Sequence, residues 1–526
     1  MADLADLLAK VLPTGVEITV RHVSSTPIPS DALFAAAPGQ ASEPTFCENH
    51  FLSISVDSKD DGETIIFGME VMVYNTAHLT TIFVSKADST GFLHLLKLPR
   101  NFSILRLVSN TFLSFLAKTR QRPGVRLVVS LFARAQDQYL FPGSIENAEK
   151  HVLDDRGLIK WWCRALDPIL REHEPESALQ EKEAMDQTVE AAKASATAYL
   201  IVPSCDRFET RNFFPSTAKT DPQDRPRWIN GYPLKQLCHD PSAPPRCLVP
   251  RFPDDPKTRF LIDLDDELPE EQEGQPALPD SGRWRSVKSL DQFWEMMSFR
   301  QECSAGRLVG FLWLVINPPG LMNSTSMESQ TRRSSETGLL SNATDIPGFS
   351  REESTAKTSA QSEVMDTPTQ AAAKPTTPEI SPELPRNEEV INPFDWPEAG
   401  RGNVVLAEAD YKKMMETVLD NYYDEKDIVT STKAYVDQVA ALADELTWGK
   451  KVVGSNTEIN APQSTDSANT NNVLDLGLIR KRKKSLGEAA TANGSQELKG
   501  TEDAPGPSPA GVNVLNASLV RKKKKT

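Results

Sequence analysis

Two adjacent carboxylates between prolines are the side chains of this sequence best suited to chemistry. Asp254 and Asp255 lie in the segment 253–256, and Lys257 follows directly. Each proline fixes its own φ angle and restricts the residue before it, so the segment is stiff and can aim a carboxylate. An aimed carboxylate can take up a proton. The alternative interpretation is an exposed Asp-Pro turn, and two acids without a third ligand are a weak signal for a divalent metal.

Two other segments have the composition of an anion site. Ser85–Gly91 follows a predicted strand and could present backbone N–H groups, but it lacks the spacing of a phosphate-binding loop, and a plain turn is the alternative. Leu96–Arg100 places Lys97 and Arg100 just before a predicted helix, where a pyrophosphate could bind. An ordinary basic connector explains the second segment equally well.

Trp228 and the cysteines give weaker signals. Trp228 is either a packing anchor or the wall of a pocket. Cys238, His239 and Cys247 form a cluster without a fourth ligand at usable spacing, so the sequence does not indicate zinc. The six cysteines show no C-x-x-C spacing, which favours a reducing compartment over a disulfide framework.

The elements that must position these residues form an α/β or α+β core. Short β-rich runs predict strands, and a helix is predicted over 102–120. This arrangement predicts a central sheet with a helix packed on it. The strands are predicted at 64–67, 71–74, 81–84, 127–132 and 198–203.

The rest of the core is less regular in pattern. A further helix is predicted within 150–173, and helical spacing returns at Phe293–Phe299. The proline-rich stretch 204–280 is predicted to wrap the core as irregular loops. The apolar run 308–316 is too short to span a bilayer and predicts a buried element.

Composition divides the chain into four regions. Residues 394–453 carry two amphipathic helical patterns that are too small to fold alone, so we expect them to pack on the core. Two low-complexity regions lack the apolar residues that a packed core needs, and both are predicted to be disordered. The regions are a catalytic core at 1–320, an insert at 321–393, the helical pair at 394–453 and a tail at 454–526 with basic runs at 480–484 and 521–525.

Charge and targeting signals narrow the class of protein. The chain has 526 residues with 73 acidic and 58 basic side chains, a net charge of −15. This balance argues against a general nucleic-acid binder and fits a protein that handles basic partners. The N-terminus carries acids where a signal peptide has basic residues, and no run approaches the ~20 apolar residues that a membrane span needs. We therefore expect an intracellular, soluble protein, and the basic runs resemble nuclear-import signals.

Several long strings resemble the fungal histone lysine acetyltransferase family known as the regulator of Ty transposition. They are Tyr139–Ser144, Lys150–Trp162, Phe252–Lys257, Phe293–Trp294 and Phe299–Cys303. The resemblance covers 1 to about 320 and resumes over 394–450. It implies a fold similar to the CBP-type acetyltransferases: a central mixed β-sheet surrounded by helices and long loops, with acetyl-CoA in a cleft on one face.

The resemblance also implies roles for particular residues. Asp254 and Asp255 match the family's acidic pair, with Asp255 at the catalytic position, and Lys257 matches a lysine that is acetylated within its own active site. Trp228 matches the tryptophan of the substrate-lysine tunnel, and Asp88 matches an acid near the cofactor. Acetyl-CoA is expected at Ala87, Asp88, Ser89, Leu96, Lys97, Leu98, Pro99, Arg100, Thr217, Ala218, Lys219 and Trp228, without a metal.

The function that the resemblance implies is acetylation of newly made histone H-three. The expected targets are a lysine of its globular entry helix and lysines of its N-terminal tail, with histone chaperones as partners, in the nucleus, during nucleosome assembly and DNA repair. Transfer is expected directly from acetyl-CoA, with Lys257 as a regulatory modification. The alternative is a non-catalytic acidic nuclear adaptor or histone chaperone.

Overall fold

The computed structural model describes residues 2–58, 62–98, 102–176, 193–268, 282–304, 306–321 and 392–457. The predicted disordered insert and tail lie outside these residues for nearly their whole length. The same holds for Pro99 and Arg100.

Strands and helices alternate irregularly along the described chain. The strands are β1 (Glu17–Ser25), β2 (Ile28–Ser30), β3 (Thr45–Ser58), β4 (Gly62–Asn75), β5 (Leu79–Ser89), β6 (Arg126–Ala133), β7 (Ser195–Ile201), β8 (Trp228–Asn230), β9 (Gly310–Asn317), β10 (Val404–Leu406) and β11 (Lys450–Val453). The α-helices are α1 (Leu4–Val11), α2 (Ile104–Arg120), α3 (Asp155–Arg171), α4 (Arg207–Arg211), α5 (Leu234–Leu237), α6 (Pro256–Asp265), α7 (Leu290–Met297), α8 (Glu408–Asp420) and α9 (Ile428–Ala443).

The described strands form one mixed sheet of eleven strands. Its order is β10-β1-β3-β4-β5-β6-β9-β7-β8, with β11 paired to β1 and β2 paired to β3. Three pairs are parallel, namely β1 with β10, β5 with β6 and β7 with β8. The prediction of a central mixed sheet surrounded by helices is confirmed.

Helices α1, α2 and α3 cover one face of this sheet. The strands alternate, so that Leu127, Val129 and Leu131 of β6 face these helices while Val128 faces away. The apolar stripe of α3, which includes Ile159 and Leu166, completes the core on this side.

Two helix pairs cover the other face. Helices α6 and α7 pack against Phe311 and Trp313 of β9. Helices α8 and α9 pack against Phe51 and Ile65 at the other end of the sheet. Both faces of the central strands are therefore buried, which explains their nearly continuous apolar runs.

Three secondary-structure predictions need correction. The two strands predicted at 64–67 and 71–74 are the single long strand β4, whose register shifts between Glu70 and Val71. The interpretation of 204–280 as irregular loops is wrong for Pro256–Asp265, which is a helix. The Asp-Pro pair there is a start signal, because Asp255 caps the helix and proline suits its first turn.

The segment 392–457 adds strands as well as helices to the sheet. Val404 pairs with Val23, and Val452 pairs with Ile18 on the same strand β1. Helix α9 contacts the sheet through Thr432 Oγ1, which accepts a hydrogen bond from the Ile65 N–H at 3.0 Å. The sequence pattern indicates the helices but not these two short strands.

Within the described ranges, no helix is long and apolar enough to cross a bilayer.

Candidate active site

The segment 253–256, which we call the acidic turn, is held in place by the residues on both sides of it. Phe252 is buried and stacks on Phe83 of β5 with 4.1 Å between ring centroids. Its N–H donates to Thr258 Oγ1 at 2.9 Å, and that hydroxyl donates to the Phe252 carbonyl at 2.8 Å. Asp254 adopts a φ of +59°, a conformation that aspartate tolerates better than most residues. The turn therefore has one defined conformation, as its sequence predicts.

Asp255 and Lys257 form a buried ion pair at the start of α6. Each is 1% exposed. Asp255 Oδ1 accepts the Lys257 backbone N–H at 2.9 Å, and Asp255 Oδ2 accepts a hydrogen bond from Lys257 Nζ. Both carboxylate oxygens are therefore directed at the same residue.

The lysine ammonium is buried among aromatic rings. Lys257 Nζ lies 4.5 Å from the centre of the Phe311 ring and 5.8 Å from that of Phe252. Burial lowers the pKa of Lys257 from its usual value, and Asp255 opposes that shift in part. A lysine in this environment gives up its proton more readily than a surface lysine.

Asp254 makes a different contact. Its Oδ2 lies 3.0 Å from Lys86 Nζ, which also donates to Glu70 Oε2 at 3.1 Å. Lys86 and Glu70 are directly paired across β5 and β4. Burial lowers the pKa of Lys86, but Glu70 and Asp254 outweigh this effect and raise it above its usual value. The Asp254 side chain is 61% exposed, so it faces outward from the buried pair.

Asp88 lies at the end of β5 with both oxygens hydrogen-bonded. Oδ1 accepts from Lys150 Nζ at 3.0 Å, and Oδ2 accepts from the N–H groups of Tyr139 and Leu140 at 2.7 and 3.0 Å. The loop that carries Tyr139 passes close over Gly68, where a Cβ would come within 2.7 Å of the Phe141 ring. These contacts give Asp88 a positioning part in the structure.

Asp167 of α3 connects Thr217, a predicted cofactor contact, with Trp228, which is predicted to contact the substrate lysine. Its Oδ1 accepts from Trp228 Nε1 at 2.9 Å, and its Oδ2 accepts from Thr217 Oγ1 at 2.7 Å. Arg171 also donates to Oδ2 at 3.1 Å. The indole of Trp228 is buried beside the ring of Phe214, 5.6 Å away.

The apolar residues predicted to contact acetyl-CoA gather on the same side as Trp228. They are partly buried against the core beneath α2 and α3, and they are Ala87, Leu96, Leu98 and Ala218. Lys97 adopts a left-handed conformation with φ of +52°, and Lys219 is exposed. A partly buried apolar surface flanked by exposed basic side chains suits a thioester carrier with an anionic end.

The acidic turn and Trp228 lie on opposite faces of the sheet. Along β9, Phe311 faces Lys257 while Leu312 belongs to the core that contains Trp228. The intervening strands therefore separate the side chains of Trp228 and Asp255, and the predicted place of Trp228 in a substrate-lysine tunnel stays a prediction.

A pocket lies at the carboxyl ends of β5 and β6. Its cavity volume is about 40 Å³. Lys86, the partner of Asp254, lines it together with Ala87, Tyr139 and Trp162. In open α/β sheets, ligands often bind in the crevice outside the carboxyl ends of parallel strands, where neighbouring connections leave toward opposite faces. We treat this strand-end pocket, with the acidic turn beside it, as the candidate active site.

Sequence reasoning missed three residues of the site. Lys86 and Lys150 have no recognisable role in the sequence, because their partners lie 16 to 168 positions away along the chain. Asp167 carried a usable signal, since an acid on the apolar stripe of an amphipathic helix must find a buried partner. In the described part of the chain, no group of three or more His, Cys, Asp or Glu side chains is arranged to hold a metal.

Comparisons with known proteins give consistent results. A family model of the histone acetyltransferase KAT11-type domain matches residues 4–126 and 121–438. The histone acetyltransferase rtt109 of Aspergillus flavus is 55% identical over 565 residues, which is 99% of each chain. The Schizosaccharomyces pombe rtt109 is 30% identical over 59% of this chain and 71% of its own. The crystal structure of Rtt109 from Aspergillus fumigatus, 58% identical, superposes with a TM-score of 0.71 and covers 86% of this chain and 100% of its own.

Proposed function

The chain belongs to the KAT11-type histone acetyltransferase family, and we propose that it transfers acetyl groups from acetyl-CoA to lysines of newly made histone H-three. The buried Asp255–Lys257 pair supports the proposal. It follows directly on Asp254, whose partner Lys86 lines the strand-end pocket, so a carboxylate near this pocket could accept the proton of a substrate lysine. Family membership decides against the non-catalytic adaptor.

The reaction begins with a neutral substrate amine. A free lysine has a pKa of about 10.4, so its ammonium must lose a proton before the nitrogen can attack a thioester. Acetyl-CoA supplies the activated carbonyl carbon. The amine nitrogen forms a bond to that carbon, the carbon–sulfur bond breaks, and the thiolate leaves and takes up a proton. Asp255, directly or through water, accepts the proton that the amine gives up.

Lys257 regulates this step in the proposed mechanism. While Lys257 is an ammonium, it occupies Asp255 Oδ2. Acetylation of Lys257 would remove the buried charge and leave Oδ2 able to accept a proton from the substrate. The lowered pKa of Lys257 favours that modification, because a lysine is acetylated as the neutral amine.

The face that carries Trp228 holds the cofactor in this proposal. Ala87, Leu96, Leu98 and Ala218 supply apolar contacts, while Asp167 orients Trp228 and Thr217. Asp88 fixes the loop of Tyr139 over the strand-end pocket. Acidic surroundings suit a basic substrate. We further propose that the enzyme acts in the nucleus on histone that is bound to chaperones, and that it acetylates an entry-helix lysine and tail lysines.

Substitution of Asp255 tests the proposal. Asp255→Asn keeps a good helix cap but cannot accept a proton, so we expect kcat on chaperone-bound histone to fall by about 10²- to 10⁴-fold. Asp266→Asn, an exposed residue at the end of the same helix, is the matched control. Full acetylation rates in both Asp255→Asn and Trp228→Phe would show that the site assignment is wrong.

A further inference from the structure

A second and larger hollow opens on the other side of the acidic turn. It lies between β2, the adjoining parts of β3 and β4, and helix α8, and its cavity volume is about 690 Å³. We call it the acidic groove. Its lining residues are Ile28, Pro29, Ser30, Asp31, Cys47, Asn49, Glu70, Met72, Tyr74, Pro253, Glu408, Tyr411, Lys412, Met415, Glu416 and Leu419.

The acidic groove is lined by more acids than bases. Of its lining residues, Asp31, Glu70, Glu408 and Glu416 are acids and Lys412 is basic. Lys412 lies 2.8 Å from Glu408, and Lys86 lies 3.1 Å from Glu70, so these two bases offset part of the negative charge and an excess of acids remains. A concave surface with several like charges focuses its field on an oppositely charged partner. The groove is therefore suited to a cationic ligand.

An unpartnered hydroxyl is an independent sign that the acidic groove receives a ligand. Tyr411 lines the groove and is 3% exposed, yet its hydroxyl has no hydrogen-bond partner among the described residues. A buried hydroxyl without a partner is costly, and native structures rarely leave one in that state. A ligand with backbone or side-chain polar groups would supply the missing partner.

Apolar side chains of the groove match the rest of a basic side chain. Met72 and Met415 line it, and Leu419 is 38% exposed at its side. Lysine and arginine lay their methylene stems along apolar surface while the charged end reaches an acid or water. The combination fits lysine and arginine side chains better than a small cation.

The acidic groove is continuous with the candidate active site. Pro253 of the acidic turn lines the groove, and the next residue is Asp254. Glu70 lines the groove and pairs with Lys86, which also contacts Asp254 and lines the strand-end pocket. A polypeptide lying in the groove would therefore lead directly to the site of transfer.

We infer that the acidic groove binds an extended lysine- and arginine-rich segment of the histone substrate that flanks the lysine to be acetylated. The inference rests on the proposed function and adds to it a surface that selects the substrate. Glu408 and Glu416 contact the basic side chains, and Tyr411 hydrogen-bonds to the segment.

Two acceptors of different length test the inference on the full-length protein. One acceptor is chaperone-bound histone H-three, and the other is a capped single lysine, which cannot reach the groove. For the double variant Glu408→Gln/Glu416→Gln we expect the KM for histone to rise about tenfold, with kcat and the KM for the capped lysine unchanged. For Tyr411→Phe we expect a rise of about threefold. The double variant removes two negative charges and should weaken the salt dependence of the histone KM, whereas Tyr411→Phe removes no charge and should leave it unchanged.

The control is Glu425→Gln, which removes an exposed acid from the same helical pair outside the groove. An unchanged histone KM in the double variant would overturn the inference, while the loss of transfer in Asp255→Asn would still support the proposed function. If neutralising the runs 480–484 and 521–525 lowered the histone KM in the parent but not in the double variant, the groove would hold the chain's own basic tail, and the inference would be wrong.

Failure of the proposed function has a separate readout. If Asp255→Asn kept full activity, fluorescence anisotropy with a labelled histone H-three tail peptide would measure the groove alone. Weaker binding to the double variant than to Glu425→Gln would then support the groove, and equal binding would reject it.

Discussion

Two buried carboxylates in this molecule are paired in very different ways. Glu48 of β3 accepts hydrogen bonds from Arg120 through both oxygens and from Trp396 Nε1 at 2.6 Å. Asp255 is paired through both oxygens with Lys257. The first carboxylate joins three distant parts of the chain, whereas the second is contacted by a residue two positions away.

The protonation of the two sites differs accordingly. Burial would raise the pKa of Glu48, but His50 and Arg120 outweigh it and lower the pKa to about 2. At the other site burial lowers the pKa of Lys257. A site saturated with donors holds its charge and serves structure, while a sparsely paired site can exchange its proton and serve chemistry.

The largest expected effect is the loss of the guanidinium at the structural site. Arg120→Ala leaves the Glu48 charge buried with fewer donors, so we expect the free energy of unfolding to fall by about 3–5 kcal/mol. Urea denaturation followed by circular dichroism measures it. Lys118→Ala, which breaks the more exposed Lys118–Glu172 pair of the same helix, should cost no more than about 1 kcal/mol. Equal losses of unfolding free energy in the two variants would show that the buried pair stabilises the fold no more than the exposed pair.

A double-mutant cycle at the active-site pair is expected to give the next largest effect. Lys257→Met leaves Asp255 buried without its cation and should destabilise by about 2–4 kcal/mol. In Asp255→Asn/Lys257→Met neither charge remains, so we expect at least half of that loss to be regained. The cycle is measured by the same denaturation experiment. Purely additive effects would show that the two residues are not coupled.

The histidines beside Glu48 predict a dependence of stability on pH. Burial lowers the pKa of both His22 and His50 from 6.5, and their rings are 3.0 Å apart at the nearest nitrogens. The unfolded chain then binds protons below about pH 6.5 that the folded chain does not, so stability is full above this pH and falls as pH decreases.

The expected slope is about 1.4 kcal/mol per pH unit for each histidine. Glu48 adds a further loss below about pH 4.5, which continues toward pH 2. Denaturation at pH 7 and pH 5 tests the histidine part, with His22→Gln expected to flatten the slope and the exposed His151→Gln expected to leave it unchanged. An identical slope in His22→Gln would contradict the explanation.

The smallest effect is expected for a substitution at Asp167. Asp167→Asn weakens the hydrogen bonds to Thr217 and Trp228 but keeps the shape of the side chain. We expect the KM for acetyl-CoA to rise about threefold to tenfold, with little change in stability. Asp224→Asn, an exposed acid outside this turn, is the control. A change in kcat without a change in KM would place Asp167 outside cofactor binding.

Local sequence patterns predict many of the helices and strands of the fold. The helix at 104–120 and the strand at 126–133 follow from apolar spacing, because each element buries a continuous stripe or alternate side chains. The same spacing indicates α8 and α9. It fails for β10, whose three residues show no alternation and become a strand because β1 presents a free edge to them.

The candidate site also combines features that follow from local sequence with features that depend on distant residues. The stiffness of the acidic turn follows from its prolines, and the roles suggested for Asp254, Asp255 and Lys257 came from resemblance. Spacing along the chain could not show that Lys86 bridges Asp254 and Glu70, or that Asp167 holds Trp228 and Thr217 together.

The sequence by itself determined the acidic balance, the principal helices and strands, the family and the segment that carries the acidic pair. Tertiary structure decided which face of the sheet each site residue occupies, and it separated Trp228 from Asp255. It also brought helix α8 beside the acidic turn to form the acidic groove. The physical reason is that local propensity acts over a few residues, whereas burial and charge pairing depend on neighbours that are distant in the chain.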